Sequence, residues 1–303
     1  MTGRASILIV VVLYQPSMAN SPLTSFRTIA GLQEAFGEDA ELFNAFDLLL
    51  WDNSPQPVHN PALPFPFTYH HAAHNVGVAG AYNAAIDIAG ERGATWLLLL
   101  DHDTSVTAVY LSGMRRHAEA AENDPGIAAV APLLTAGDAL LSPRLWRFAR
   151  HVPLPRAAGP YTETRAIYAA NSGTLLKVEA LRAVGGYNAR FWLDYSDIEL
   201  FHRLHRRGYR ARIANDLELE HEIAMLDYDA RMSPARYANY LAAESDFLDL
   251  YRGPVEGAMH LLRLAVRTVR QRRFADATYS RMTRQEVWRR LLTSRRQRQR
   301  GRG

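Results

Sequence analysis

The sequence predicts an α/β fold, a mostly parallel sheet flanked by helices, followed by a helical, arginine-rich extension. Three observations predict it. Short β-like runs alternate with helix-like segments over the larger part of the chain. One of them, "TWLLLL" at 95–100, is continuously apolar, as a strand covered on both faces must be. Beyond Asp227 the alternation stops, and two long helical patterns open at Ser-Pro and Gly-Pro. These features divide the chain into an α/β domain, 1–226, and a helical region, 227–303, whose arginine-rich end is expected to be disordered.

The elements follow in order. "SILIVVVLY" is a buried first strand, "LTSFRTIAGLQEAF" a helix, and "FDLLLWDNS" a second strand closed by an Asn-Ser-Pro turn. After a proline-rich loop, "FTYHH" reads as a third strand, "GAYNAAIDIAG" as a helix and "TWLLLL" as a fourth strand, with "VTAVYLSGMRRHAEAAE" a helix beyond it. No internal repeat interrupts the pattern.

Composition bounds what the chain can be. Its 303 residues, 48% of them hydrophobic, suffice for a large core with an appendage. Without cysteine there is no disulfide framework and no thiolate metal site, so any metal takes oxygen or nitrogen ligands. The apolar run before Gln15 is too short to span a bilayer and lacks a signal-peptide cleavage pattern, so a cytoplasmic, non-integral protein is expected. Charge is uneven. From Arg263 onward fourteen arginines stand against Asp276 and Glu286, a local +12 that leaves −8 for the first 262 residues.

Ligands of open α/β sheets collect beyond the carboxyl ends of the strands. "DHD" stands there, at the end of the fourth strand, where Asp101 and Asp103 offer hard oxygens to Mg²⁺ or Mn²⁺. The alternative is a solvated turn with Asp103 or Ser105 capping the next helix. In "HNVGVAGAYNAAI", Asn75, Gly77, Gly80 and Asn83 precede or open a helix and let backbone approach a nucleotide. Without a full G-x-G-x-x-G, a tight strand-to-helix connection is the other reading. Asp52, in "WDNS", is an acceptor for a pyrimidine ring N–H or else the start of an Asx turn.

The ordered set "WDNS", "NVGVAGAYNAAI", "LLLLDHDT" and "NSGTLLKVEALRAVGGYNARFWLDYSDIELFHRLHRRGY" resembles the family 2 glycosyltransferases of the GT-A fold, over roughly residues 5–225. The run "FWLDYSDIEL" is most similar to bacterial rhamnosyltransferases that use dTDP-L-rhamnose. The resemblance implies Asp197 as catalytic base at the head of a helix; Ser196 replaces the glutamate of the usual Glu-Asp pair. Physics agrees with such a base, since a helix dipole favours a carboxylate that can take a proton from a hydroxyl. A plain helix cap is the alternative. The resemblance also implies that Asn171 and Ser172 line the donor pocket, and that His221 completes the metal site beside Asp101 and Asp103, an ordinary strand-end histidine being the alternative for His221.

Tyr187, Phe191, Trp192 and Tyr195 cluster just before Asp197 and suit either a glycan wall, with Trp192, Tyr195 and Glu199 toward the acceptor, or the core. His70, His71, His74 and His102 read as hydrogen-bonding loop residues. In the C-terminal region Val255, Met259, Leu262, Val266 and Val269 share a helix face away from Arg263, Arg267 and Arg270. Such a basic amphipathic helix points to peripheral contact with an anionic membrane, or to packing on the catalytic domain with a solvated basic face. Nucleic acid is the less fitting partner, because few aromatics interleave the arginines and no nucleic-acid motif precedes them. The implied partners are a nucleotide-sugar donor and a glycan or lipid-linked acceptor, with another donor such as a UDP-hexose or galactofuranose, or a non-catalytic binding module, as alternatives.

Overall fold

A computed structural model describes residues 6–14, 26–58, 63–137, 139–147, 150–155, 157–220 and 232–300. The chain divides into two compact units. The first comprises Met1–Leu145, Val152–Trp192 and Ser196–Glu222; the second comprises Trp146–His151, Leu193–Tyr195 and Ile223–Gly303. The helical region therefore takes in two short stretches from within the α/β sequence.

In the first unit the strands are β1 (Ile7–Leu13), β2 (Phe46–Asp52), β3 (Thr68–His71), β4 (Trp96–Asp101), β5 (Ile127–Ala136), β6 (Ala139–Ser142), β9 (Tyr161–Glu163), β11 (Leu175–Lys177) and β12 (Arg210–Glu220). They form one sheet of order β3-β2-β1-β4-β11-β5-β12-β9, with β6 paired to β5. The short strands β7 (Arg144–Arg147), β8 (Arg150–Pro153) and β10 (Ile167–Tyr168) stand outside it. Most of the large ladders, β1 with β2 and β4, β2 with β3 and β5 with β12, are parallel; β11 runs antiparallel to both β4 and β5.

Period-two alternation explains how β1 and β4 lie buried on both faces. Ile7, Ile9, Val11 and Leu13 join Trp96, Leu98 and Leu100 in one core layer, under α1 (Arg27–Glu38) and α4 (Ala108–Ala121). Leu8, Val10 and Val12 join Leu97 and Leu99 in the other, under α3 (Gly77–Arg92), α5 (Val178–Ala183) and α6 (Ser196–Arg206). Leu97 to Leu100 are all 0% exposed, and each such leucine contributes about 1.5–3 kcal/mol relative to leaving it in water. A short helix, α2 (Ala40–Phe43), joins α1 to β2.

The second unit holds α7 (Pro234–Tyr251), α8 (Pro254–Arg270), α9 (Thr278–Leu292) and α10 (Arg295–Gln299). Both predicted Pro starts are present, α7 capped by Ser233 and α8 following Gly253. The stretch expected to be disordered includes a short helix, α10, up to Gln299. Ser294 and Gln297 form a capping box that opens α10, and Arg298 reaches Asp249 at 3.0 Å, so the last described turn is anchored. Ion pairs run through the unit: Arg267 with Glu244 at 2.7 Å, Arg289 with Glu286 at 2.7 Å and, buried on both sides, Arg290 with Asp249 at 2.8 Å.

His260, 1% exposed on α8, meets Ser245 at 3.3 Å. Burial pushes its pKa from 6.5 to about 4; Glu244 opposes the shift, and Arg290 and Arg267 add to it. The folded protein thus keeps His260 neutral, whereas the unfolded chain takes up a proton as pH falls below about 6.5. Stability is therefore full above that pH and declines toward pH 4. Linkage predicts a loss of about 2 kcal/mol between pH 7 and pH 5 from this residue. Thermal melts of the protein and of His260→Asn over that range check it: the variant is less sensitive to acid by that amount.

Candidate active site

The turn after β4 is pinned from two sides. Asp101 donates its backbone N–H to the Ser172 hydroxyl at 3.0 Å, and that hydroxyl meets Thr104 Oγ1 at 2.6 Å. From α1, Thr28 donates its N–H to the His102 carbonyl at 3.2 Å, and its hydroxyl accepts from the Thr104 N–H at 3.0 Å. Phe26 packs edge-on against the His102 ring. Asp101 is half-buried and Asp103 is exposed at the tip.

Asp101 and Asp197 act on the same two phenols. Tyr82 is fully buried, its hydroxyl turned toward Asp101 but short of a regular hydrogen bond. Burial pushes its pKa well up; the charge of Asp101, then Tyr187, then Asp197 adds to the shift. Tyr187 is likewise raised by burial, then by Asp197, with Asp101 adding and Arg203 opposing. Both phenols are therefore neutral at ordinary pH. Asp197 lies in the first turn of α6, where its Oδ1 accepts from the Ile198 N–H at 2.8 Å.

A chain of hydrogen bonds ties these residues together. Tyr187 donates to Asn171 Oδ1 at 2.8 Å, and Asn171 Nδ2 donates to Ser196 Oγ at 3.0 Å, at the start of α6. Asn83 clasps the Tyr187 backbone, accepting its N–H at 2.6 Å and donating to its carbonyl at 2.9 Å. Of the residues singled out in the sequence, the structure thus brings together Asp101, Asn171, Ser172, Asn83 and Asp197.

Others have different neighbours. Asp52 is fully buried, and its carboxylate accepts from the Ser54 and Val58 N–H groups, each at 2.8 Å, and from the Tyr69 hydroxyl. The Asx turn is present, and the carboxylate is engaged by its own loop. Next to it Asn53, which the sequence did not single out, reaches α3: its Nδ2 donates to the Gly77 carbonyl at 3.1 Å and its Oδ1 accepts from Trp51 Nε1 at 3.2 Å.

Asn75 accepts the Gly77 N–H at 2.8 Å. Gly77 has φ +68, and a Cβ there would lie 2.2 Å from the Trp192 carbonyl oxygen, so glycine is required both by conformation and by space. A Cβ at Gly80 would lie 2.7 Å from Val76 Cβ. Trp192 packs on this helix start, and its carbonyl accepts the Ala79 N–H at 3.1 Å.

Glu199 is 0% exposed and accepts from Arg203 at 2.8 Å through each of its oxygens, with Asn188 at 3.2 Å. Arg203 also donates to the Val184 and Gly186 carbonyls. This pair braces the loop that carries Tyr187. Tyr195 has φ +63 and belongs to the second unit, where its buried ring meets His151, Tyr240 and Phe247. His221 lies outside the described residues.

Asp101 and Asp103 fit a hard divalent cation. Both are carboxylates on one strand-end turn, and no group of three His, Asp or Glu side chains close enough for a protein cage occurs among the described residues. Mg²⁺ is commonly held in this way, by one or two carboxylates with the remaining oxygens from phosphate and water.

No protein-family profile matches the sequence, and no curated protein sequence matches it. Solved structures do. GalNAc-T7, crystallised with UDP, GalNAc and Mn²⁺, superposes with a TM-score of 0.52 at 13% identity, covering 93% of this chain and 54% of its own. TarS of S. aureus gives 0.49 at 9% identity over 89% of this chain and 44% of its own; TarS 1–349 gives 0.49 at 12% over 94% and 89%. The chain thus spans about half the length of GalNAc-T7 and of the longer TarS. Likeness at such identity concerns the fold alone, and it is the GT-A fold that the chain has.

Proposed function

We propose that the protein is an inverting, metal-dependent glycosyltransferase that moves a sugar, L-rhamnose from dTDP-L-rhamnose, onto a glycan or lipid-linked acceptor in cell-surface polysaccharide synthesis. The observation that carries the reading is the convergence of Asp101 and Asp197 on Tyr82 and Tyr187 within a GT-A fold. A strand-end acid for the donor and a helix-start acid for the acceptor are then near one another, as a single displacement requires.

In this reading Asp197 takes the proton from an acceptor hydroxyl as its oxygen bonds to the anomeric carbon and the nucleoside diphosphate leaves from the opposite side. The positive end of the α6 dipole favours the carboxylate that does so. One base suffices, because inversion has no glycosyl-enzyme intermediate and needs no second carboxylate as nucleophile. Asp101 and Asp103 would hold the cation. A bound Mg²⁺ or Mn²⁺ supplies charge that neutralises the departing diphosphate. Asn171, Ser172 and the Asn75–Gly80 loop border the donor, and Trp192 offers the acceptor an apolar ring. Glu199 and Asn83 act as positioning residues. The enzyme works in the cytoplasm with peripheral contact at an anionic membrane face.

A screen of donor hydrolysis across dTDP-, UDP- and GDP-sugars with Mg²⁺ or Mn²⁺ tests the donor without needing the acceptor. Turnover of dTDP-L-rhamnose is the expected result; preference for a UDP-hexose keeps the mechanism and replaces the donor. Asp103→Ala is expected to abolish metal-dependent nucleotide binding, read by calorimetry with and without EDTA. Asp197→Asn, nearly isosteric, is expected to preserve donor affinity while lowering turnover about 10²- to 10⁴-fold. Retention of the donor's anomeric configuration in the product would overturn the inverting mechanism.

A further inference from the structure

Helix α8 is built inside out. Its buried positions are His260, Leu264 and Thr268, and Arg267 turns inward to make a two-pronged pair with Glu244 at 2.7 and 2.9 Å. Its exposed face is formed by Val255, Ala258, Leu262, Ala265, Val266 and Val269, with Val255 72% and Leu262 67% exposed. Among the exposed positions of α8, Arg270 alone is charged. A helix packed on a core ordinarily shows the reverse arrangement, and a contiguous apolar stripe left in water marks an interaction surface. On α9, Trp288, Leu291 and Leu292 are exposed as well, the last at 79%.

The charge around this stripe is predominantly positive. Arg270, Arg272, Arg273, Arg281 and Arg284 are exposed, whereas Asp276 is the one exposed acid from 254 to 300. Among the described acids, Glu244, Asp249 and Glu286 are buried against arginine, and Glu256, half-buried on α8, accepts from Trp146 Nε1 at 2.8 Å. A second copy meeting this face would bring arginines against arginines. A surface that is apolar beneath and anionic above satisfies both halves of the patch. No described helix is long and apolar enough to cross a membrane, and the stripe, about 21 Å long, suits a helix lying in the plane of the interface.

We propose that the exposed face of α8, from Val255 to Val269, with the arginines that follow it, docks on an anionic phospholipid bilayer. The valines and Leu262 enter the boundary between headgroups and acyl chains, and Arg270, Arg272, Arg273 and Arg284 meet lipid phosphates. This deepens the peripheral contact in the functional reading above by naming its surface, and it needs neither donor nor acceptor to be tested. Removing the whole helix would strip Glu244 of Arg267 and unsettle the unit, so surface substitutions are the suitable probe.

The full chain is sedimented with vesicles of phosphatidylcholine with and without phosphatidylglycerol, at low and high salt. Binding is expected to require phosphatidylglycerol and to weaken with salt. Arg272→Ala with Arg273→Ala is expected to lower partitioning about 5-fold per arginine at low salt. Leu262→Asn with Val266→Asn adds no charge; it is expected to lower partitioning about 100-fold with an unchanged melting temperature. Equal binding to neutral and anionic vesicles, or full binding by the Leu262/Val266 variant, overturns the proposal. So does tighter binding to duplex DNA than to anionic vesicles, and so does a concentration-dependent dimer that the same variant dissolves without any vesicle binding, which would assign the face to a second copy. Vesicle binding that persists in Asp197→Asn separates this surface from the sugar-transfer reading.

Discussion

The site depends on how β4 ends and on what lies beside that end. A strand with tryptophan and leucines on both faces cannot run on into water, so its first carboxylate falls at the rim of the sheet, opposite Val12 of β1. The neighbour on the other side, β11, is antiparallel, and its lead-in therefore arrives where β4 leaves. Gly173 donates its N–H to the Leu99 carbonyl at 2.7 Å, and Leu99 donates to the Thr174 carbonyl at 3.1 Å. Ser172 is thereby fixed against the Asp101 N–H. A parallel strand in that place would have delivered its lead-in to the opposite edge, and the DHD turn would have had no such partner.

The second carboxylate is fixed by side chains more than by the sheet. Loop 184–188 has little regular structure, yet Arg203 gathers its carbonyls from α6, Glu199 neutralises Arg203, and Asn83 holds Tyr187 from α3. Gly186, at φ +69, lies so close to Asn83 that a Cβ would stand 2.4 Å from its Oδ1. Each of these groups is buried or half-buried, where an unpartnered charge or amide is costly. The network is complete for that reason, and its completeness sets the direction of the Tyr187 hydroxyl and the place where α6 begins.

What was legible in the sequence follows from range. Continuous apolar runs and helix starts are local signals, so the strand ending at Asp101 and the helix beginning near Asp197 could be read, and their order along the chain supported a GT-A fold. Within "WDNS", by contrast, nothing local tells that Asp52 turns into its own loop while Asn53 reaches α3; that depends on Tyr69 and Gly77, 17 and 24 residues away. Glu199 carried a readable hint, since Arg203 follows at i+4, the spacing of a helical ion pair. Tyr82 carried almost none: its importance comes from the carboxylates around it. Tyr195 takes a positive φ that no property of tyrosine announces, and its ring is buried among those of the second unit, to which it belongs.

The arginine tail shows why charge counted along a sequence differs from charge presented by a fold. Fourteen arginines after residue 262 suggest a uniformly basic arm. Folding pairs several of them with acids that precede them, Arg267 with Glu244 and Arg290 and Arg298 with Asp249, the last two pairs largely shielded from water. Such pairs contribute modestly to net stability, because desolvation offsets most of their attraction, but they are demanding in geometry. They fix which side of α8 and α9 faces inward. Once the polar side is committed to these partners, the apolar side has no place left in the core, and the exposed stripe of α8 is the consequence.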